Sequence, residues 1–186
     1  MADNSLIPLE TPLLLGRGSN NASHALIVRL SREGYEIHIV DCAIRFQAYS
    51  IAEATKSFNT PILHEIQIQR AFTPYQLLDF INSILSSAQK DELKSKLFLF
   101  LAPSKQFFDG DVKVDERIAL LDRLIEKFKL MQSEGFQVLI SESIKKADPI
   151  YQSYLSKLNT ALGTVAKEIL PPQEVPDGKN SPTLFE

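Results

Sequence analysis

Residues 16–23, Gly-Arg-Gly-Ser-Asn-Asn-Ala-Ser, follow an apolar run and precede a helical pattern. A glycine closing a strand, with a serine at this distance, outlines the phosphate-binding loop Gly-x-x-x-x-Gly-Lys-Ser/Thr. In such a loop the glycines let the backbone curl so that successive N–H groups face phosphate oxygens. The lysine supplies a point charge on the phosphates, and the hydroxyl holds Mg²⁺. Here Asn21 stands in place of the second glycine and Ala22 in place of the lysine. Asparagine tolerates a left-handed backbone, but alanine carries no charge. Gly16, Arg17 and Ser23 are therefore the candidate phosphate contacts, with Arg17 as a substitute cation and Asp41 as a substitute metal carboxylate. Arg17 leaves the backbone at a different position from the missing lysine, so the two are not equivalent.

Other residues with chemical potential are scattered. His24, His38 and His64 have no H-x-x-x-H spacing and no flanking cysteine, so no metal site is expected from them. Asp109, Asp111, Asp115 and Glu116 lack calcium-loop spacing and precede a helix, where acidic groups meet the dipole favourably. The single cysteine, Cys42, excludes an intramolecular disulfide and a thiolate metal cluster, and reads as a small buried thiol. No Gly-x-Ser-x-Gly elbow is present, which argues against a hydrolase of the α/β type.

These residues must be held by a scaffold, and the hydropathy pattern supplies one. Strands are expected over 12–15, 36–40, 65–69, 96–101, 136–140 and 165–170, and helices over 23–33, 47–58, 74–87, 115–133 and 149–162. Lys-Leu-Phe-Leu-Phe-Leu at 96–101 reads as a strand buried on both faces. Thr73-Pro74 and Asp148-Pro149 are helix starts. Strands alternating with helices imply parallel βαβ units, hence an α/β three-layer α/β/α sandwich with a mostly parallel central sheet. Ligands of such folds bind at the carboxyl ends of the strands.

At 186 residues, with 44% hydrophobic and 23% charged residues, one domain over 1–170 is expected. From Pro171 the composition turns to Pro, Gly and polar residues, which reads as a disordered tail over 171–186. A net charge of −3 gives no footprint of a dedicated nucleic-acid binder. No apolar stretch reaches the length of a membrane span, and the N-terminal residues lack a signal-peptide pattern. A cytoplasmic protein without membrane partners is the expectation.

Four segments in order resemble the core of RecA/RadA-type recombinases and their paralogues. GRGSNNAS stands where their Walker A loop lies. IHIVDCAIRF resembles the family strand ending in Asp-Thr-Glu-Gly-Thr-Phe, with Asp41 and Phe46 retained. IQIQRAFTPYQLLDFI is similar to the strand and helix that carry Arg-Ala-Phe. KLFLFLAPSKQFFDGDVKVDERIALLDRLIEKFKLMQSEGFQVLISES matches the Walker B strand, the long helix and the next strand in length and pattern. The resemblance covers roughly residues 10–145 and implies a RecA-like core.

The same comparison implies lost chemistry. The Walker B carboxylate position falls on Ala102 or Pro103, and the family's water-activating glutamate aligns with Ala43. Charge clamp, metal carboxylate and general base are all missing, and phosphoryl transfer relies on these parts together. The resemblance therefore implies a non-catalytic pseudo-ATPase with no cofactor, acting as a binding or assembly protein in DNA recombination or repair. The rival is a nucleotide-binding protein or weak ATPase with a non-standard site of Arg17, Ser23 and Asp41.

Partner contacts have several candidates. Lys105, Phe107 and Phe108 follow the fourth strand, near the place of a recombinase DNA-binding loop. Charge and stacking there suit single-stranded DNA, while paired phenylalanines are more often core or a protein contact. Lys145 and Lys146 follow the fifth strand, near the second such loop. Arg70-Ala71-Phe72 reads as structural, with Phe72 filling the layer between sheet and helix and Arg70 binding a carboxylate or carbonyls at the sheet edge. Leu184 and Phe185 form an apolar pair resembling the ending of sliding-clamp-binding peptides, with Ser181 where those carry glutamine. Self-association, a protein partner, single-stranded DNA and a sliding clamp are thus the partner candidates.

Overall fold

The computed structural model describes residues 7, 9–58, 62–64, 66–143, 147–163 and 167–170. Six strands form one sheet: β1 (Leu13–Leu15), β2 (Ile37–Asp41), β3 (Ile66–Arg70), β4 (Leu97–Leu101), β5 (Gln137–Glu142) and β6 (Lys167–Glu168). Their order is β3-β2-β4-β5-β1-β6, and every pairing is parallel. The helices are α1 (Ser19–Arg32), α2 (Ala48–Ala54), α3 (Pro74–Leu85), α4 (Lys90–Leu93), α5 (Val114–Ser133) and α6 (Pro149–Ala161). The chain is an α/β three-layer sandwich.

Alternation along the strands produces the two cores. Successive side chains point to opposite faces, so β4 sends Phe98 and Phe100 one way and Leu97, Leu99 and Leu101 the other. The phenylalanines pack with Val40, Ile140, Leu77, Ile81, Leu124, Phe128 and Leu158, drawn from β2, β5, α3, α5 and α6. The leucines pack with Ile37, Ile39, Ile27, Leu30 and Ile51, drawn from β2, α1 and α2. All five residues of β4 are buried, as befits a strand with a covered face on each side.

Two helices start as the Pro signals predict. The Thr73 side chain accepts the Gln76 N–H, and the Asp148 carboxylate accepts the Ile150 N–H; in each the next residue is a proline at the first helical position. Other boundaries differ from expectation. α1 opens at Ser19 rather than Ser23, and α2 is confined to Ala48–Ala54. β6 is only Lys167–Glu168 within the described residues, and α4 carries no signal in the sequence. Parallel topology brings the ends of β1 to β5 to one edge. That edge carries the residues 16–18, 42–47, 71–73 and 102–104.

Candidate functional site at the carboxyl edge

Gly16 turns the chain with φ +92°, a conformation that an L side chain rarely adopts. Its N–H donates to the Glu142 carbonyl at 3.0 Å, and the Gly18 N–H donates to the Ile169 carbonyl at 3.0 Å. The backbone after β6 therefore lies against this loop. A Cβ on Gly16 would stand 2.8 Å from the Ile169 carbonyl oxygen, and one on Gly18 would stand 2.6 Å from Ile169 Cγ2 and 2.7 Å from the Leu170 carbonyl oxygen. The glycines make room for the strand.

Pairing with β6 also explains the early start of α1. With the Gly18 amide bonded to the Ile169 carbonyl just after β6 and the Ser19 N–H donating to the Gly16 carbonyl at 3.1 Å, the chain turns into the helix within residues 16–18. Ser23 then lies a turn inside α1, fully buried, and its hydroxyl donates to the Ser19 carbonyl at 2.7 Å. Arg17 is exposed. The three candidate phosphate contacts are near one another in sequence, but the Ser23 hydroxyl is directed along its own helix.

Asp41, at the end of β2, is 1% exposed. Its Oδ1 accepts the Ala43 and Arg45 N–H groups at 3.2 and 2.8 Å, and its Oδ2 accepts the Phe46 N–H at 3.1 Å. Three amides converge on this carboxylate, so its principal work is to wind residues 43–46 around itself. The winding places Ile44 at φ +53° with 70% exposure. Left-handed backbone at an L residue costs roughly 1–2 kcal/mol, and the Asp41 bonds hold it there. α1 braces the same loop: the Gln47 N–H donates to His24 Nε2 at 2.9 Å, and Asn20 Nδ2 donates to the Arg45 carbonyl at 3.3 Å. His24 Nδ1 lies 2.7 Å from the Asn20 carbonyl, so the ring carries its hydrogen on Nδ1. Among the described residues no group of three His, Cys, Asp or Glu side chains could hold a metal ion.

After β4, Ala102 adopts φ +49° and Pro103 and Ser104 lead into a 3-10 turn, Lys105–Phe108. Gln106 is buried, and its Nε2 donates to the Cys42 carbonyl at 2.8 Å and to the Ala71 carbonyl. One side-chain amide thus ties the ends of β2 and β3 to the turn. Phe107 is fully buried in the core, which corrects its reading as a partner contact in favour of its reading as core. Phe108 is half-buried, edge-on to Tyr151 at 5.5 Å and beneath the Arg117 guanidinium at 5.1 Å. Lys105 is paired with Asp109 at 2.7 Å. Lys145, Lys146, Leu184 and Phe185 lie outside the described residues.

The sequence reading missed Glu142. It ends β5, is 1% exposed, and turns into the core on the α6 side. Oε1 accepts the Ser104 N–H at 3.1 Å and the Tyr154 hydroxyl at 3.0 Å, and Oε2 accepts the Ser104 hydroxyl at 2.9 Å. Burial raises its pKa to about 7, against the opposing pull of the Ser104 and Tyr154 hydrogen bonds. Tyr151 hydrogen-bonds to Ser104, and burial followed by the charge of Glu142 raises both tyrosines. Burial, then Glu142 and Asp41, also raises Cys42, which suits an inert thiol rather than a nucleophile. A glutamate closing an otherwise apolar strand, Val-Leu-Ile-Ser-Glu, was the available signal.

The surface of this edge is uneven in charge. Arg17, Arg45 and Arg70 are exposed, and none makes an ion pair among the described residues. Around them stand Ile44, Phe72 at 61% exposure and Tyr75 at 50%. Phe72 is therefore not the filler between sheet and helix that the sequence suggested. Ala71, 1% exposed, enters the core in its stead because its backbone is bound to Asp41 and Gln106. Acidic groups collect at the start of α5, where Asp115 and Glu116 occupy the first turn and Glu116 accepts the Tyr75 hydroxyl. No helix among the described residues is long and apolar enough to cross a membrane. No protein-family model matches the chain, and no curated protein shows significant similarity to it.

Proposed function

We propose that this chain is a non-catalytic, RecA-like domain that works as a binding and assembly protein through the carboxyl edge of its sheet. The observation that carries the reading is the bond from the Gly18 amide to the Ile169 carbonyl. A phosphate loop needs free amides directed at the ligand; here the glycine loop is occupied by the protein's own backbone. Ser23 bonds within α1, Ala22 and Ala43 offer no charge, and no carboxylate follows β4. The resemblance of four ordered segments supports descent from the recombinase fold, and on that analogy the role proposed is in DNA recombination or repair, with a cytoplasmic location proposed from the single cysteine.

The surface suits a partner better than a small substrate. Exposed Ile44 and Phe72, interleaved with Arg17, Arg45 and Arg70, combine apolar anchors with positive charge that is unpaired among the described residues. Aromatic and arginine side chains are the types that dominate interface energetics. A second copy of this chain is the partner proposed, since it brings the acidic start of α5 to the arginines of its neighbour.

Sedimentation velocity of the full chain tests this. The expected result is a mass that rises with concentration, returns to that of a monomer in Ile44→Asp and Phe72→Asp, and leaves their circular dichroism unchanged. A chain that stays monomeric at high micromolar concentration, and that melts several degrees higher with MgATP in an Arg17-dependent manner, would instead support the nucleotide-binding rival of Arg17, Ser23 and Asp41.

A further inference from the structure

Glu142 stands at the base of a continuous path to the exposed edge. Its carboxyl group holds Ser104 by both the backbone N–H and the hydroxyl. In the same turn the Gln106 amide holds the carbonyls of Cys42 and Ala71. From those two residues depart the segments that carry Ile44 and Phe72. On its other side Glu142 holds α6 through the Tyr154 hydroxyl.

Among the described residues, the groups facing this carboxyl group are all neutral. Tyr151 and Tyr154 come from α6, Ser104 from the turn, and Cys42 from just after β2. No lysine or arginine of the described residues is among them. A neutral Glu142 satisfies every partner: Oε1 accepts from Ser104 N–H and Tyr154, while Oε2–H donates to Ser104 Oγ, whose own hydrogen turns to Tyr151. An ionised Glu142 keeps the same donors but leaves a buried negative charge with no cation beside it among the described residues, which is costly in a low-dielectric interior.

The geometry points to a proton-operated latch: protonation of Glu142 closes the 105–108 turn and α6 onto the sheet, and loss of that proton loosens both together with the segments bearing Ile44 and Phe72. The consequence for partners rests on the proposed role of that edge; the latch itself does not. The sign follows from burial. The native pKa, about 7, lies above the ordinary 4.5, so the latch is tightest below pH 4.5 and weakens as pH rises towards 7.

The test uses the full chain alone. The Glu142 carboxyl carbon is followed by NMR through a pH titration, and amide hydrogen exchange in α6 and residues 104–108 is measured after correction for intrinsic exchange. The expected result is a carboxyl midpoint near 7 and, from the two pKa values, a fall in protection of about seventyfold between pH 5 and 8. The Arg45 and Phe72 amide signals move with the same midpoint. Glu142→Gln abolishes the pH dependence. Should that variant fail to fold, Tyr154→Phe removes one donor to the carboxylate and raises the midpoint. A midpoint near 4.5, a pH-independent protection pattern, or Arg45 and Phe72 signals that ignore the Glu142 titration would overturn the latch. A chain that shows the latch yet never self-associates would retain this result and lose only the proposed function.

Discussion

Gly18 and Ile169 are joined by a backbone hydrogen bond of 3.0 Å, from the amide of the glycine loop to the carbonyl that follows β6. The relationship turns a segment that looks like a ligand cradle into a strand-packing joint. It also explains the second glycine of Gly-Arg-Gly without reference to phosphate. Gly18 has φ −80°, which any residue adopts, so its requirement is for space alone.

Gly18→Ala is accordingly predicted to be destabilising by about 1–3 kcal/mol, the usual cost of forcing extra volume into a packed site. The new Cβ meets Ile169 Cγ2 at 2.6 Å and the Leu170 carbonyl at 2.7 Å, and backbone yields less readily than a side-chain tip. Urea denaturation measures the difference. A variant as stable as the wild type would mean that the segment after β6 does not rest on this loop.

Asp41→Asn should cost about 1–3 kcal/mol, the penalty for a buried donor left without an acceptor. The amide oxygen can keep Ala43 and Arg45, but the new NH₂ then faces the Phe46 N–H, which bonds Oδ2 at 3.1 Å in the wild type. Thermal unfolding reads this directly. Equal stability would show that the loop does not depend on the carboxylate.

Ile44 gives a prediction of opposite sign. Its left-handed backbone and 70% exposure bring no packing in the isolated chain. Ile44→Asn is expected to stabilise by about 1 kcal/mol by relieving the left-handed strain, while weakening self-association in sedimentation. Strain retained at an exposed apolar side chain is the pattern of a functional site. A stabilised variant that associates normally would remove Ile44 from the interface.

The raised pKa of Glu142 predicts a stability profile. A carboxyl whose native pKa is about 7 contributes its full stabilisation below pH 4.5 and loses it as pH rises through 7. Glu142→Gln, able to accept from Ser104 N–H and Tyr154 and to donate to Ser104 Oγ, should flatten that part of the profile. At pH 8 the variant is expected to be more stable than the wild type, by about 3 kcal/mol as an order of magnitude. Chemical denaturation at pH 5 and pH 8 provides the comparison, and a variant less stable at both would contradict it.

The layered fold was readable because its signals are local. Leu-Phe-Leu-Phe-Leu has the pattern of a strand covered on both sides, and Thr73-Pro74 and Asp148-Pro149 carry their own caps. The start of α1 was not readable, because it depends on a hydrogen bond between residues 18 and 169. Phe72 was misplaced and Phe107 left open for a related reason: a phenylalanine beside a strand end reads alike whether it turns in or out. Here Gln106, a polar residue within an apolar turn, decides both by binding Cys42 and Ala71. Glu142 escaped notice because an acid at a strand end ordinarily meets water, and only the approach of Ser104 and Tyr154 makes it an interior group.

The central claim is that the glycine loop serves its own chain and binds no nucleotide. Titration of millimolar MgATP into isotope-labelled full-length chain, with the Gly16, Arg17, Gly18, Ser19 and Ser23 amide signals followed by NMR, tests it most directly. The predicted result is that these five signals do not move. Saturable shifts at the same amides, lost in Arg17→Ala, would contradict it.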